Sequence, residues 1–524
     1  MKSLRSGFLI VMIFGAAAIL AGVLLMAPAA RAETVPPDNW AYEALRAFEV
    51  RGLVRLEPTL PYTYSQCEAY TREIVANVEA RGVALGPRHA FLLDRLAKQF
   101  VGMRDRPEDR WSKPVYTVRE EERFAALDAS VGGSVERNPD SDAWEAYGLA
   151  VPGILVGLGH GVTMETSYRL VMGPEQGSNA HLEKPSARLR SYHGLTGEFE
   201  RGLIDASGDW WQVRAGREYM HWGSSLREGL MLSSAAGSLD HVGARFQLGR
   251  FALSTFQAVL SSEWERRFAG HRLTAALPKG IDVGIGETVV YTGNLDWKYL
   301  TPLGFYYAHQ YNEGTNTDNI LWTLDCKVPL RRGLLLYGEL LIDDFQYERD
   351  ENAGPDRLGL SIAAEALFMV AGRELEITGG YTCIDAYTYG HSWGSQHVAG
   401  SGDTEMNPLL GSSMGPDADR GFLRGTLGLS ARTALAIEGG STRYGALSTL
   451  FHGALPDWAP GMDSDPPFPS PPVLNVKYIL ASLRYDLNHG SYVSAGAWMR
   501  QRDRDVDDVH TSGSYGWFEV VLDL

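Results

Sequence analysis

The sequence has little of what three common classes of protein need. Its three cysteines, Cys67, Cys326 and Cys383, are too few and too scattered for a disulfide framework or a CxxC metal site. We therefore interpret them as isolated small apolar residues. Basic residues are also in the minority, with 48 Lys and Arg against 64 Asp and Glu and a net charge of −16. This balance argues against nucleic acid as a partner, because nucleic acid binds basic surfaces.

Long apolar runs are missing after residue 32, so the sequence there predicts no membrane-spanning helix. A bilayer core satisfies no backbone hydrogen bonds. If the mature chain spans a membrane, it must therefore do so as a closed β-barrel.

Residues 1–32 have the pattern of a secretory signal peptide. Lys2 and Arg5 form a basic start, Phe8 to Met26 is apolar, and Ala30-Arg31-Ala32 provides a small-residue cleavage site. The apolar run is longer than in most signals, so an uncleaved membrane anchor is the alternative. Either interpretation predicts an exported protein.

Strands and turns are what the sequence has in abundance, with 58 Gly, 24 Tyr and 13 Trp. The stretch from Asn319 to Phe345 predicts a hairpin that turns at Arg331-Arg332-Gly333. Each strand alternates between an apolar face and a charged face, the period-2 pattern of β-structure. A soluble sandwich gives this pattern when its charges face water. A membrane barrel gives it when its apolar residues face lipid.

Turn lengths favour the barrel. Short turns at Gly249, Gly333 and Gly490 alternate with long loops over 174–185, 391–420, 455–472 and 502–513. Outer-membrane barrels combine short periplasmic turns with long outer loops, and the chain offers roughly 16 to 20 candidate strands. A final alternating strand ends on Leu524. The sequence therefore predicts an all-β, transmembrane antiparallel β-barrel over residues 114–524.

Residues 33–113 lack the strand pattern of the barrel and predict three short helices followed by a polar linker. We predict that they form a periplasmic helical region. The stretch from Pro37 to Val54 resembles half of a surface-layer-homology motif, which makes peptidoglycan a candidate partner of these helices. A small helical plug or cap of the barrel is the alternative.

Several stretches resemble the Wzi family of capsule assembly outer-membrane proteins. They are Gly216-Arg217-Glu218-Tyr219-Met220-His221-Trp222-Gly223, Leu230-Met231-Leu232-Ser233, the run from Asn294 to Pro302, Asp318-Asn319 before Leu324-Asp325, the run from Tyr337 to Asp344, and Gly415-Pro416-Asp417-Ala418-Asp419. The resemblance implies a barrel of about eighteen strands that acts as a lectin for capsular polysaccharide or exopolysaccharide and is not an enzyme. Here Ser224-Ser225 follows the Trp-Gly pair, where the family usually has Pro and Gly.

Candidate sugar contacts come from aromatic and polar residues in two long loops, because rings stack on the C–H faces of sugars and polar groups bind their hydroxyls. The predicted polysaccharide-binding residues are Tyr387, Tyr389, His391, Trp393, Asp417, Asp419, Arg420 and Trp458. The alternative is that these aromatic residues belong to a membrane-interface girdle or pack within the loops.

Charged residues of the strands predict ion pairs across the barrel lumen. The predicted network comprises Arg214, Arg217, Asp325, Lys327, Glu339, Asp343 and Arg484. Paired carboxylates also occur in glycosidases. The sequence lacks G-x-S-x-G and H-E-x-x-H motifs. We therefore expect no catalysis, cofactor or metal.

Two functions are the main candidates on sequence grounds, and a barrel enzyme, whose Ser/His or carboxylate groups would converge only in the folded structure, is a third. The first is an outer-membrane, lectin-like barrel with polysaccharide and outer-membrane lipid as partners. The second is a porin-type channel with a cell-wall-binding N-terminal module. An occluded lumen favours the first, and an open, conducting lumen favours the second.

Overall fold

The structure is a computed structural model. It describes residues 33–101, 115–120, 123–137, 143–159, 161–173, 195–313, 318–345, 354–391, 395–400, 407–452, 455–459, 461–487, 490–504 and 509–523. The predicted signal peptide, most of the predicted linker, Trp393 and Leu524 lie outside these residues.

The described N-terminal residues form a small helical region. It contains α1 (Trp40–Val50), α2 (Tyr64–Arg81), α3 (Pro87–Leu96) and a π-helical turn (Ala97–Val101). The Asn39 side chain caps α1 by accepting a hydrogen bond from the Ala41 N–H. A capping box of Thr63 and Gln66 begins α2, and Gly82 ends it in the left-handed conformation. None of the helices in the described ranges is long and apolar enough to cross a membrane.

The helical region has an apolar core of its own. Leu45, Phe48, Ile74 and Leu96 are all fully buried in one cluster with further residues of the three helices. These helices therefore pack on one another around a core that is separate from the clusters inside the barrel.

Eighteen long strands of the described chain close into an antiparallel barrel. They are β3 (Arg123–Arg137), β4 (Trp144–Gly159), β5 (Val162–Met172), β6 (Leu195–Ser207), β7 (Trp211–Tyr219), β9 (Ser238–Leu248), β10 (Phe251–Ser261), β11 (Arg266–Ala276), β12 (Asp282–Thr292), β13 (Asn319–Arg331), β14 (Leu334–Asp344), β15 (Arg357–Val370), β16 (Arg373–Ile384), β17 (Ala418–Gly428), β18 (Thr433–Tyr444), β19 (Leu474–Asp486), β20 (Tyr492–Arg504) and β21 (Val509–Asp523). The barrel closes where β21 pairs with β3, with Trp517 opposite Glu136.

Three shorter strands complete the sheet structure. They are β1 (Thr59–Leu60), β2 (Tyr116–Glu120) and β8 (His221–Trp222). β2 forms a hairpin with β3. β1 pairs with β8, which links the helical region to a segment that follows β7.

The two ends of the barrel differ in their connections. At one end the strands are joined by turns of two to five residues, including those at Gly249 and Gly333, which both have positive φ. At the other end the connections include the long segments 220–237, 293–318, 385–417 and 445–473. One predicted long loop is shorter than expected, because β20 extends to Arg504 and β21 begins at Val509. The strands continue through charged residues that we predicted to lie in the loop 502–513.

The predicted hairpin at 319–345 is confirmed as β13 and β14. Thr323, Asp325 and Lys327 are buried towards the lumen, whereas Trp322 and Leu324 are exposed on the outer wall. Other strands expose apolar side chains on the same outer face, among them Ile285 and Leu273. An apolar outer wall around a polar inner wall is the pattern of a transmembrane barrel.

Candidate functional site

The segment that follows β7 enters the barrel instead of leaving it. We call residues 220–237 the inner loop. Within it, Leu230, Met231 and Leu232 are at most 2% exposed. The Leu230 N–H donates to the Glu339 carboxylate on β14 at 3.0 Å, and the Trp222 N–H donates to the Leu232 carbonyl at 3.0 Å. The inner loop is therefore tied both to the barrel wall and to itself.

The connection between β16 and β17 lies directly against the inner loop. We call the described residues of this connection, 385–391, 395–400 and 407–417, the capping loop. The His397 side chain donates from Nε2 to the Met231 carbonyl at 2.6 Å, and the Tyr389 hydroxyl donates to the Leu230 carbonyl. The Ser233 N–H donates to the Leu410 carbonyl at 2.8 Å. These hydrogen bonds join two loops that are far apart in the sequence.

An apolar core forms where these loops meet the inward faces of the strands. We call it the lumen core. Its largest buried members include Tyr389, Phe256 and Phe268. The Phe268 ring lies 5.0 Å from the Phe256 ring and 5.4 Å from the His397 ring, both in edge contact. The part of the lumen enclosed by β9–β14 is thus packed like a protein interior.

Buried arginines hold the capping loop through its backbone. Arg266 is completely buried, and its guanidinium donates to the carbonyls of Gln396, Val398 and Gly400. Arg357 donates to the Gly390 carbonyl at 2.7 Å. Sequence reasoning missed both residues. Each arginine is the first residue of a strand, β11 or β15, at the long-loop end. This position next to a long loop was the signal that could have identified them.

The helical region closes the short-turn end through charged contacts. We call these contacts the ionic seam. Arg88 and Arg95 bind Asp486 at 2.5 and 3.2 Å, and Lys327 binds Glu49 at 2.5 Å. Burial raises the pKa of the Glu49 carboxyl, but Lys327 and Arg46 outweigh burial and leave that pKa below its usual value. Each of these side chains is at least mostly buried, so each charge depends on its partner.

Most residues of the predicted lumen network lie where the strand pattern placed them. Asp325 binds the fully buried Arg272 at 2.6 Å, Lys327 also contacts Asp282 at 3.2 Å, and Asp343 accepts from the Tyr389 N–H at 2.5 Å. Two more pairs join neighbouring inward side chains, namely Arg214 with Asp205 at 3.3 Å and Arg484 with Asp486 at 3.0 Å. Glu339 binds the inner loop, as described above.

Arg217 does not belong to this network. It pairs with Asp240 at 2.8 Å, and the two residues are opposite each other in the β7–β9 register. Asp240 lies on the face of β9 that also exposes Val242, which is the outer wall. The physical reason is the strand period. Arg214 and Arg217 are three residues apart and so point to opposite faces.

Three of the predicted sugar contacts are buried inside the loops. Tyr387, Tyr389 and Asp417 are at most 2% exposed and have φ values of 66°, 67° and 53°. The Asp417 carboxylate accepts from the backbone N–H groups of Leu447 and Ser470, which joins the capping loop to the 445–473 loop. Left-handed conformations in such residues persist only where the surroundings hold them. In this conformation these residues shape the loops and present no surface to a ligand.

Asp419 and Arg420 are adjacent but lie on opposite faces of β17. Asp419 accepts hydrogen bonds from Arg443 and Tyr381 at the outer wall. Arg420 points inward, where its guanidinium is 3.6 Å from the Glu228 carboxylate of the inner loop.

His391 and Trp458 belong to two different long loops that are linked beside them. Arg357 bridges them, because it donates to the Gly390 carbonyl and lies 3.7 Å from the Asp457 carboxylate. Burial lowers the pKa of His391, and the nearby Asp457 partly offsets this effect. We call His391, Asp457 and Trp458 the two-loop patch. It combines a half-buried indole ring with hydrogen-bonding groups, the chemistry that sugar binding requires.

The other half of the lumen contains a polar cavity. It lies beneath the helical region against β3–β6 and β19–β21, and its volume is about 460 Å³. Its lining is rich in charged side chains, among them Glu33, Asp38, Glu165, Arg169 and Arg201. Among the residues that the structure describes, no three His, Cys, Asp or Glu side chains form a group that could hold a metal ion.

Comparison with solved structures confirms the resemblance to Wzi at the level of the fold. A structure described as Wzi, an outer-membrane protein involved in group 1 capsule assembly in Escherichia coli and a carbohydrate-binding β-barrel, matches with a TM-score of 0.58 at 13% sequence identity. The match covers 93% of this chain and 99% of that one.

Porin structures match more distantly. A BenF-like porin from Pseudomonas fluorescens has a TM-score of 0.43 at 8% identity, with 76% of this chain and 98% of the porin covered. OprD from Pseudomonas aeruginosa has a TM-score of 0.44 at 9% identity, with 79% of this chain and 98% of that chain covered. No protein-family model and no curated protein matches the sequence.

Proposed function

We propose that this protein is an outer-membrane barrel that binds or organises capsular polysaccharide or exopolysaccharide at the cell surface without catalysing a reaction. The observation that carries the proposal is the lumen core. Leu230, Met231 and Leu232 are buried where a porin needs water. The two loops that pack this part of the lumen also form an outer surface at the long-loop end, and such a surface suits binding better than transport.

The orientation follows from the two ends of the barrel. In outer-membrane barrels the short turns face the periplasm and the long loops face outward. The helical region then lies on the periplasmic side, where peptidoglycan is available to it, and the two-loop patch faces the cell exterior. The apolar outer wall contacts outer-membrane lipid, and residues 1–32 direct export.

A polysaccharide-binding assay tests the proposal at the two-loop patch. The refolded barrel is titrated with the surface polysaccharide of the host, and saturable binding is expected. Trp458→Ala removes the ring that stacks on sugar and should weaken binding by about 1 kcal/mol, or roughly fivefold.

The matched control is Trp210→Ala. Trp210 is an exposed tryptophan in the short turn between β6 and β7, at the opposite end of the barrel. Binding should not change in this variant. Equal losses in both variants, or no saturable binding by the unaltered protein, would contradict the proposal.

A porin-type channel is the second candidate, and the polar cavity against β3–β6 favours it. Charged side chains of both signs line that cavity, as they line many water-filled pores. Under this alternative the barrel conducts ions steadily in a planar bilayer and does not bind polysaccharide.

A further inference from the structure

The connection between β12 and β13 lies on the outside of the barrel. It contains a 3₁₀ turn (Trp297–Leu300) and the helix α4 (Tyr306–Glu313). We call residues 293–313 the outer-wall loop. Its Tyr306 and Tyr299 rings are completely buried in a cluster with Val289, Tyr291 and Ile320.

The strand registers show which face this cluster covers. His271 is opposite Glu287, and Glu287 is opposite Trp322. The next outward positions on these strands, including Leu273 and Leu324, are exposed apolar side chains. All three residues therefore belong to the outer wall, and the loop covers that wall from Thr292 down to Glu287, about 17 Å along the strand.

Beneath the loop is a polar group on a face that otherwise meets lipid. The Glu287 carboxylate accepts from the N–H groups of Tyr306 and Tyr307 at 2.8 and 3.0 Å. It also accepts from the Trp322 indole at 2.7 Å and lies 3.2 Å from the His271 ring. A carboxylate on a lipid-facing wall is costly unless it is covered. The start of α4 supplies that cover.

The outward side of the same loop is strongly apolar. Tyr311 is 77% exposed and Phe305 is 69% exposed, and Trp297, Leu303 and Tyr307 are also exposed. Tyr307 contacts the Trp322 ring at 5.5 Å, which joins this surface to the apolar outer wall below it. The exposed rings are thus continuous with the wall that faces the hydrocarbon.

We propose that the outer-wall loop is a membrane-interface anchor whose aromatic side chains enter the headgroup region of the outer leaflet. This inference depends on the proposed outer-membrane location. Amphipathic tyrosine and tryptophan rings prefer the interface. A helix that lies in the interface plane buries its apolar face among the headgroups. We assign lipid to this surface because the exposed rings continue the apolar outer wall at the long-loop rim of the barrel.

A spin label measures the depth of the loop. Tyr311→Cys is labelled with a nitroxide in the full chain, with Cys326→Ala and Cys383→Ala in the background, while Cys67 stays because it is buried. The protein is reconstituted into phosphatidylcholine and phosphatidylglycerol vesicles. Collision of the label with oxygen reports lipid contact, and collision with a nickel chelate reports water contact.

Two matched positions calibrate the reading. Met462→Cys places the label on an exposed residue of the 445–473 loop, and Leu324→Cys places it on the outer wall. The anchor is supported if label 311 loses most of the nickel collisions seen at 462 and shows oxygen collisions between those of 462 and 324.

Three outcomes overturn the anchor. Nickel accessibility at 311 equal to that at 462 places the loop in water. Dipolar broadening between labels at 311 that grows with protein density in the membrane assigns the surface to a second copy of the chain. Water access at 324 shows that the wall is not in lipid, and that result overturns the proposed membrane location as well.

Discussion

The two closures of this barrel are built from opposite chemistry. The lumen core joins the inner and capping loops through buried apolar side chains, whereas the ionic seam joins the helical region to the short-turn end through buried charges. Apolar packing is non-directional and stabilises whenever the surfaces meet. Buried ion pairs contribute little net stability but make the loss of one partner costly. The lumen core therefore keeps its part of the barrel closed, and the ionic seam fixes where the helical region docks.

The largest effect is expected in the lumen core. Phe268→Ala leaves a cavity between Phe256 and His397 and should destabilise the loops by about 4 kcal/mol. Planar-bilayer recordings should then show intermittent conductance. Phe368→Ala is the control, because Phe368 is exposed on the outer face of β15 and its removal should produce no conductance. No conductance from the Phe268→Ala variant would show that the lumen core is not what closes the barrel.

A smaller effect is expected in the ionic seam. Asp486→Asn removes the shared counter-charge of Arg88 and Arg95 and should weaken docking of the helices by about 3 kcal/mol. Proteolysis of the helical region should become faster, but conductance should not appear, because the lumen core is intact. The control is Asp503→Asn, whose carboxylate lies 4.0 Å from Lys477 and accepts from the exposed Gln501 side chain, so little change is expected.

The lumen core and the ionic seam should lose stability in different pH ranges. Burial lowers the pKa of His397 to about 4, against 6.5 for the exposed group. Between pH 6.5 and pH 4 the unfolded loop therefore binds more protons than the folded loop. The stability of the lumen core falls as pH drops through this range. The contribution of His397 to this loss should reach about 2 kcal/mol at pH 5.

The ionic seam should respond at lower pH. The Glu49 carboxyl has a lowered pKa, so its contribution is fully present above 4.5 and is lost as pH falls further. Thermal unfolding of the loops and proteolysis of the helices, followed from pH 7 to pH 3, separate the two windows. His397→Gln should remove only the His397 share of the upper window, because burial also lowers the pKa of His221 in the inner loop to about 4. An upper window of unchanged size in this variant would mean that His397 does not titrate there.

The smallest effect is expected at the outer wall. Arg217→Met breaks a half-exposed pair with Asp240 and should change the unfolding free energy by less than about 1 kcal/mol. Arg214→Met should cost more, because it leaves the buried Asp205 carboxylate without its arginine. Chemical denaturation of both variants in the same detergent makes the comparison, and equal costs would place Arg217 in the lumen.

The strand pattern in the sequence was enough to predict the wall of the barrel. Alternation at Thr323, Asp325 and Lys327 places each charge on the inner face, as the structure shows. The same rule applied to Arg217 would have separated it from Arg214. That error arose because the two residues were grouped by charge and not by parity.

The loops could not be predicted in this way. Leu230, Met231 and Leu232 are consecutive, so no period shows whether they face lipid, water or another loop. Tyr387 and Tyr389 lie in a polar, aromatic stretch that suits sugar binding, yet their rings pack inside the capping loop. Their burial depends on contacts with residues more than a hundred positions away, such as Leu230. Of the predicted sugar contacts that the structure describes, His391 and Trp458 belong to the two loops that Arg357 links.

The most direct test of the closed lumen is single-channel recording of the full chain in a planar bilayer, beside the Asp486→Asn variant. We expect no steady conductance from either protein, because the lumen core persists when the ionic seam is weakened. Steady conductance steps from the unaltered chain would contradict the account and support a porin. Steps from the variant alone would show that the helices, and not the loops, close the barrel.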